Sequence, residues 1–173
     1  MSELEICKRL KAVIKRAERL NRMQLVVGIP SDGKPRKSSE EDTNTDITNI
    51  ELGLIHEFGV PEKGIPERSF MRSTAVEEAE NLSQLTNVMV TECLSGQITP
   101  KNALSKVGAY LQGKIIEKIT DGEFQPNTTE TLKRKLTPVK NKKKKRAKDA
   151  NKPLIDTGQL RASITYEVRE NES

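Results

Sequence analysis

The sequence predicts an α+β fold: a small, mostly antiparallel or mixed sheet packed against two long helices, with long polar loops between them. Three observations carry that expectation. Residues 69–95 and 99–119 repeat apolar side chains at steps of three and four, the period of a helix with one buried face. Only two short stretches, near 24–29 and 164–169, have the composition or alternation of strands. The segments 31–46 and 120–152 are polar and broken by proline, and read as a flexible loop and a flexible Lys-rich arm. Leu, Ile, Val and Phe total 41 of 173 residues, a little above the roughly 20% below which a chain fails to build a core. The length suits one domain, 1–173.

Taken in order, residues 3–21 form the first helix, with Ile6, Leu10, Val13, Ile14, Ala17 and Leu20 as its apolar face. "QLVVGIP", 24–30, is short, β-branched and stopped by Pro30, which marks a buried strand. A short helix over 47–58 carries Ile47, Ile50, Leu54, Ile55 and Phe58. Gly59 suits a left-handed position at its end, and Pro61 blocks continuation. Ile65 precedes Pro66 and is pushed towards extended backbone. Ser69 is then placed to cap one long helix running to about 95, striped by Met71, Ala75, Ala79, Leu82, Leu85, Met89 and Cys93.

Gly96 ends that helix. Thr99 as N-cap and Pro100 at the first helical position start the next, whose face is Leu104, Val107, Leu111, Ile115 and Ile119. Gly108 and Gly113 weaken it by roughly 1 kcal/mol each, an expense that a closely approaching helix would offset. Asp156 with Gln159 has the form of a capping box for one or two turns, and Gly158 is expected to allow close packing there. Ile164, Tyr166 and Val168 then alternate with Thr165 and Glu167, a strand with one buried face.

The formal charge of +5 is unevenly spread. Residues 133–148 hold ten Lys or Arg and no acid, so the other 157 residues sum to −5, a mildly acidic body with one basic segment. Within that segment Lys142, Lys143, Lys144, Lys145 and Arg146 are contiguous. They suit sequence-blind contact with nucleic-acid phosphates, contact with an acidic protein, or simple solvation. The absence of an aromatic there argues against dedicated single-strand recognition. Cys7 and Cys93 form no metal or disulfide pattern and are expected as reduced, packed side chains. No apolar run reaches about 18 residues and no signal-like segment follows Met1, so a soluble protein made in a cytoplasm is expected, with no membrane partner.

Catalysis finds little support. His56 is the only histidine, so a helical zinc pair is excluded, and neither a nucleophile nor an orienting group is identifiable for a general base. No phosphate-binding glycine pattern occurs. A cap or an interface contact suits His56 better. The expectation is a protein that is not an enzyme, with no cofactor and no metal. Gly59, Pro61, Gly64 and Pro66 are explained by shape, since glycine permits positive φ and proline fixes φ near −65°. Arg68 and Arg72 suit either pairing with a partner carboxylate or exposure to water.

Two separated stretches, "LGLIHEFGVPEKGIPERSFMRSTAVEE" and "KPLIDTGQLRASITYEV", together resemble tailed-phage neck and tail-completion proteins. In that family a helix ending in an [HN]EFG-like turn leads to IPxRxFxR and a long helix, and a PLxDTGxLxxSIxYxV segment lies near the C-terminus. The motifs cover about 45 residues, and "LVVGIP" stands in the expected place before them. Ser69 departs from the proline expected in IPxRPF, which loosens the loop, and the Lys-rich arm is longer than the usual connector.

The resemblance implies a structural virion protein at the head–tail junction, in a ring of six or twelve copies, touching neck, connector or tail proteins. It casts His56, Glu57, Phe58, Gly59, Ile65, Pro66, Arg68, Phe70 and Arg72 as an assembly interface. Asp156, Thr157, Gly158 and Leu160 become a structural motif, and the Lys-rich segment is left as a contact with passing DNA or an acidic partner. The alternative is a nucleic-acid-binding accessory protein that uses residues 133–148.

Overall fold

A computed structural model describes residues 2–31, 47–127, 129, 132–133, 152–154 and 158–171. The described elements are helices α1 (Glu3–Asn21), α2 (Asn49–Phe58), α3 (Arg72–Glu77), α4 (Ala79–Ser95), α5 (Pro100–Asp121) and α6 (Gln159–Ser163), with strands β1 (Met23–Gly28) and β2 (Thr165–Glu170). The two strands pair antiparallel, and Asn171 N–H extends the ladder by donating to Arg22 O at 2.6 Å. The fold is α+β.

Most of the polar loop 31–46 and of the arm 120–152 lies outside the described residues, as do Asp156, Thr157 and the run Lys142, Lys143, Lys144, Lys145, Arg146.

The chain forms two compact units. The first comprises Met1–Val27, Ala75–Gly113 and Thr165–Ser173. Its core is Met89, Cys93, Ala103 and Val107, with Leu25, Leu82, Leu85 and Ile98 packed against them. Helix α1 begins as its sequence requires. Ser2 accepts Glu5 N–H, and Glu3 and Glu5 lie in the first turn, where the helix dipole favours negative charge. Arg16 donates to Leu94 O at 3.0 Å and ties α1 to α4. Thr99 Oγ1 accepts Asn102 N–H at 3.2 Å, so the Thr99–Pro100 start of α5 is as expected.

Several expectations are corrected here. The predicted helix 69–95 is two helices, because Glu78 leaves helical geometry at φ −95°, ψ 6°. Its carboxylate accepts Tyr110 Oη at 2.6 Å and Asn81 Nδ2 at 2.8 Å. What crowds Gly108 is the sheet rather than a helix, since a β-carbon there would lie 2.7 Å from Leu25 Cδ1 and Tyr166 Cδ2. Around Gly113 there is open space. Cys93 is buried but Cys7 is exposed, because α1 turns that face outward.

The second unit comprises Gly28–Thr74 and Lys114–Ile164. It buries Phe70, Ile115, Ile119, Leu154, Leu160 and Ile164. Helix α2 packs on α6, and a β-carbon on Gly53 would lie 3.8 Å from Leu160 Cδ1. Thr48 and Glu51 form a complete capping box at the start of α2: Glu51 Oε2 accepts Thr48 N–H at 2.7 Å and Thr48 Oγ1 accepts Glu51 N–H at 3.2 Å. Among the described residues no helix is long and apolar enough to cross a membrane.

Candidate docking segment

The segment from α2 to α3 is built around a carboxylate. Glu57 sits in the last turn of α2 and is 3% exposed. Its Oε2 accepts Phe70 N–H at 2.8 Å and Met71 N–H at 2.9 Å. Its Oε1 accepts Ser69 Oγ at 2.8 Å, Arg72 N–H at 2.9 Å and Arg72 Nε at 3.1 Å. Four of these donors lie at the approach to α3, whose first backbone N–H groups have no partner within the helix. A side chain from another helix therefore caps α3, and a negative charge there is favoured by the helix dipole.

Burial works against the Glu57 charge. The backbone donors of Met71 and Arg72, the Ser69 hydroxyl and the Phe70 N–H outweigh that cost and hold its carboxyl below the ordinary range.

Two further ties fix the loop. Arg68 is 6% exposed, and burial pulls its pKa down. Its Nε donates to Gln125 O at 3.0 Å and its Nη2 to Pro126 O at 3.2 Å, while its backbone N–H donates to His56 O at 2.7 Å. Arg72 Nη2 reaches both Glu57 O at 3.0 Å and Glu67 Oε1 at 2.7 Å. Between these ties Val60 and Ile65 form a two-residue bridge, exchanging N–H···O bonds of 2.8 and 3.1 Å around Pro61–Lys63.

Gly59 makes the return possible. Its φ is positive as expected, but with ψ 174° it is extended rather than left-handed helical, a combination open essentially to glycine. A β-carbon there would lie 2.7 Å from Glu67 N and 2.9 Å from Ile65 O.

This geometry divides the residues predicted as an interface. Phe70 at 0% exposure, Glu57 and Arg68 are not surface anchors: they point inward and hold the segment to its own chain. His56, Ile65 and Pro66 are half-buried, and Gly59 acts through backbone shape. Phe58 and Arg72 do face outward, with the Arg72 guanidinium 4.5 Å above the Phe58 ring. Leu54, one turn before Phe58 and 52% exposed, belongs to the same outward patch and was not singled out by sequence reasoning, although the i, i+4 spacing was there to read. Ser69 does not loosen the loop. Its hydroxyl donates to Glu57 and accepts Ser73 N–H at 3.2 Å.

In the C-terminal motif the N-cap of α6 is Gly158, which has no side chain to cap with, and the capping box expected from Asp156 to Gln159 lies outside the described residues. Close packing is not the reason for Gly158. A β-carbon there would meet nothing within 4 Å, whereas its φ of 77° disfavours any other residue. Leu160 is buried as a motif residue should be.

Among the described residues no group of three or more His, Cys, Asp or Glu is placed to hold a metal ion. No family model, no curated protein and no solved structure matches this chain.

Proposed function

We propose that the protein is a non-catalytic structural component of a tailed-phage virion, part of the neck or tail-completion ring that joins head to tail. The observation that supports this reading is the meeting of its two sequence signatures. The helix that opens the first motif, α2, packs on α6 of the second, although about 100 residues separate them. The first motif is then locked by Glu57 and Arg68 into one path that leaves Leu54, Phe58 and Arg72 exposed. A segment whose backbone is fixed from within and which leaves one aromatic, Phe58, and one arginine, Arg72, exposed is suited to docking. Aromatic and Arg anchors dominate binding energy at protein interfaces, and a preformed loop has less entropy to lose.

In this reading the partners are further copies of the chain and neighbouring neck, connector or tail proteins. No cofactor takes part.

The test is to purify particles from an infected culture and locate the protein by labelled electron microscopy. A parallel complementation compares wild type with Leu54→Ala/Phe58→Ala. Label at the head–tail junction, with separated heads and tails from the folded double variant, is the expected result. Particles lacking the protein would refute the reading.

A further inference from the structure

We infer that the guanidinium of Arg68 is a receptor for one oxyanion, a carboxylate or a phosphate, gripped by the open fork of its two terminal nitrogens. The starting point is a charge without a counter-charge. Arg68 is 6% exposed, and a cation so buried is ordinarily paired with an anion. Its side chain instead donates to two neutral carbonyls, Nε to Gln125 O at 3.0 Å and Nη2 to Pro126 O at 3.2 Å. The carboxylates nearest in the chain are committed elsewhere. Glu67 Oε1 accepts Arg72 Nη2 at 2.7 Å, and both oxygens of Glu57 hold the approach to α3. Among the described residues no carboxylate pairs with the Arg68 guanidinium, and burial pulls its pKa down with no neighbouring charge to offset the effect.

The two bonds show which edge of the group is left. A guanidinium is flat and carries five N–H donors in a fixed arrangement. Nε and Nη2 share one edge, and consecutive carbonyls fill it. The edge between Nη1 and Nη2 ends in two parallel N–H groups, which match the two oxygens of a carboxylate or phosphate. Nη1 has no partner among the described residues. It is not one of the side-chain atoms buried without a partner, so it keeps contact with solvent.

A fork desolvated along its sides and open at its tip holds an oxyanion more strongly than a surface arginine does, because the attraction is less screened. It is also preorganised. The Arg68 N–H donates to His56 O at 2.7 Å, and the two carbonyls fix the side-chain plane. A bound anion cancels the buried charge and so steadies the loop between α2 and α3. The inference goes beyond the virion role proposed above and does not depend on it.

The experiment is NMR on the full 15N-labelled chain, read at the Nε–Hε resonance of Arg68, which is assigned through bonds to its own backbone. Sodium phosphate and sodium acetate are titrated separately, with sodium chloride keeping the ionic strength constant. The expected result is a saturable shift, half complete at about 1–10 mM of the tighter anion, the weak end of specific binding. Tighter acetate assigns the fork to a carboxylate, tighter phosphate to a phosphoryl group. At ten times the half-saturating concentration, the folding equilibrium in urea should move about ten-fold towards the native chain. Arg68→Lys keeps a charge but has no fork, and should weaken binding by about 10-fold or more.

A shift that grows without saturating would mean an adventitious ion only and would overturn the inference. Chloride acting as phosphate does, Arg68→Lys binding as tightly as wild type, or stabilisation by phosphate with no shift at Arg68 would overturn it equally. So would a wild-type resonance indifferent to every anion but moved by Asp156→Asn, since the chain would then supply its own carboxylate. If Arg68→Lys fails to fold, the wild-type titration decides alone.

Discussion

Glu57→Gln tests whether one buried carboxylate holds the segment between α2 and α3 in place. The substitution keeps the shape but leaves a single acceptor oxygen. Oε2 now serves two backbone donors and Oε1 serves three groups, so whichever way the amide turns, two or three donors lose their partner and face an NH2. Each buried donor left unsatisfied costs about 1–3 kcal/mol. Arg72 also loses the charge that it pairs with at 3.1 Å, but its side chain is 53% exposed and solvent screening holds that contribution to about 1 kcal/mol or less. These figures overlap and do not add, so the expected loss is about 3–5 kcal/mol, a large share of the 5–15 kcal/mol that typically holds a domain folded.

Urea denaturation gives the magnitude, and hydrogen exchange at the amides of Phe70, Met71 and Arg72 gives the location. The pH dependence gives a third check. Because the folded-state pKa of Glu57 is depressed, its contribution is fully present above the unfolded value of about 4.3 and is lost as pH falls through the folded pKa. Wild type and variant should therefore converge in stability as pH falls from the unfolded value through the depressed folded one. A loss under about 1 kcal/mol at neutral pH, with the three amides still protected, would refute the capping role.

Three other substitutions separate the causes at work in the two motifs. Phe70→Ala should cost about 3–5 kcal/mol by thermal or urea unfolding, since the side chain is fully buried, whereas a surface anchor would cost almost nothing in the free chain. Gly59→Ala should cost at least about 3 kcal/mol, because forbidden backbone geometry and collision with the 65–67 backbone act together; stability within about 1 kcal/mol of wild type would rule out that crowding. Gly158→Ala meets open space and should cost only the left-handed strain, about 1–2 kcal/mol, measured the same way.

What the sequence makes legible is what neighbours in the chain decide. The bounds of α1 follow from its periodicity, and the start of α5 from Thr99 and Pro100, all interactions within four residues. The Thr48–Glu51 box was equally readable, being a pattern of the same span. The break at Glu78 was not, because helical period alone continues through it and its carboxylate partner Tyr110 lies 32 positions away. Gly59 announces a positive φ, but its ψ depends on where residues 65–67 return.

The same limit explains why the buried and exposed side chains of residues 54–72 could not be told apart in the sequence. A charged residue within a glycine- and proline-rich stretch looks like surface, and by composition Glu57, Arg68 and Arg72 are equivalent. Their partners separate them. Glu57 finds three backbone N–H groups 13 to 15 residues on, and Arg68 finds two carbonyls 57 and 58 residues on. Arg72 stays at the rim with half its side chain in water and its guanidinium on Phe58. A buried charge is stable only with such partners, and once it has them it resists any other path of the backbone. The histidine turn, the glycines, the prolines and the two arginines of residues 52–72 thus answer a single mechanical demand. The segment holds Leu54, Phe58 and Arg72 exposed along one fixed path, and polar ties from Glu57 and Arg68 to backbone groups supply that rigidity.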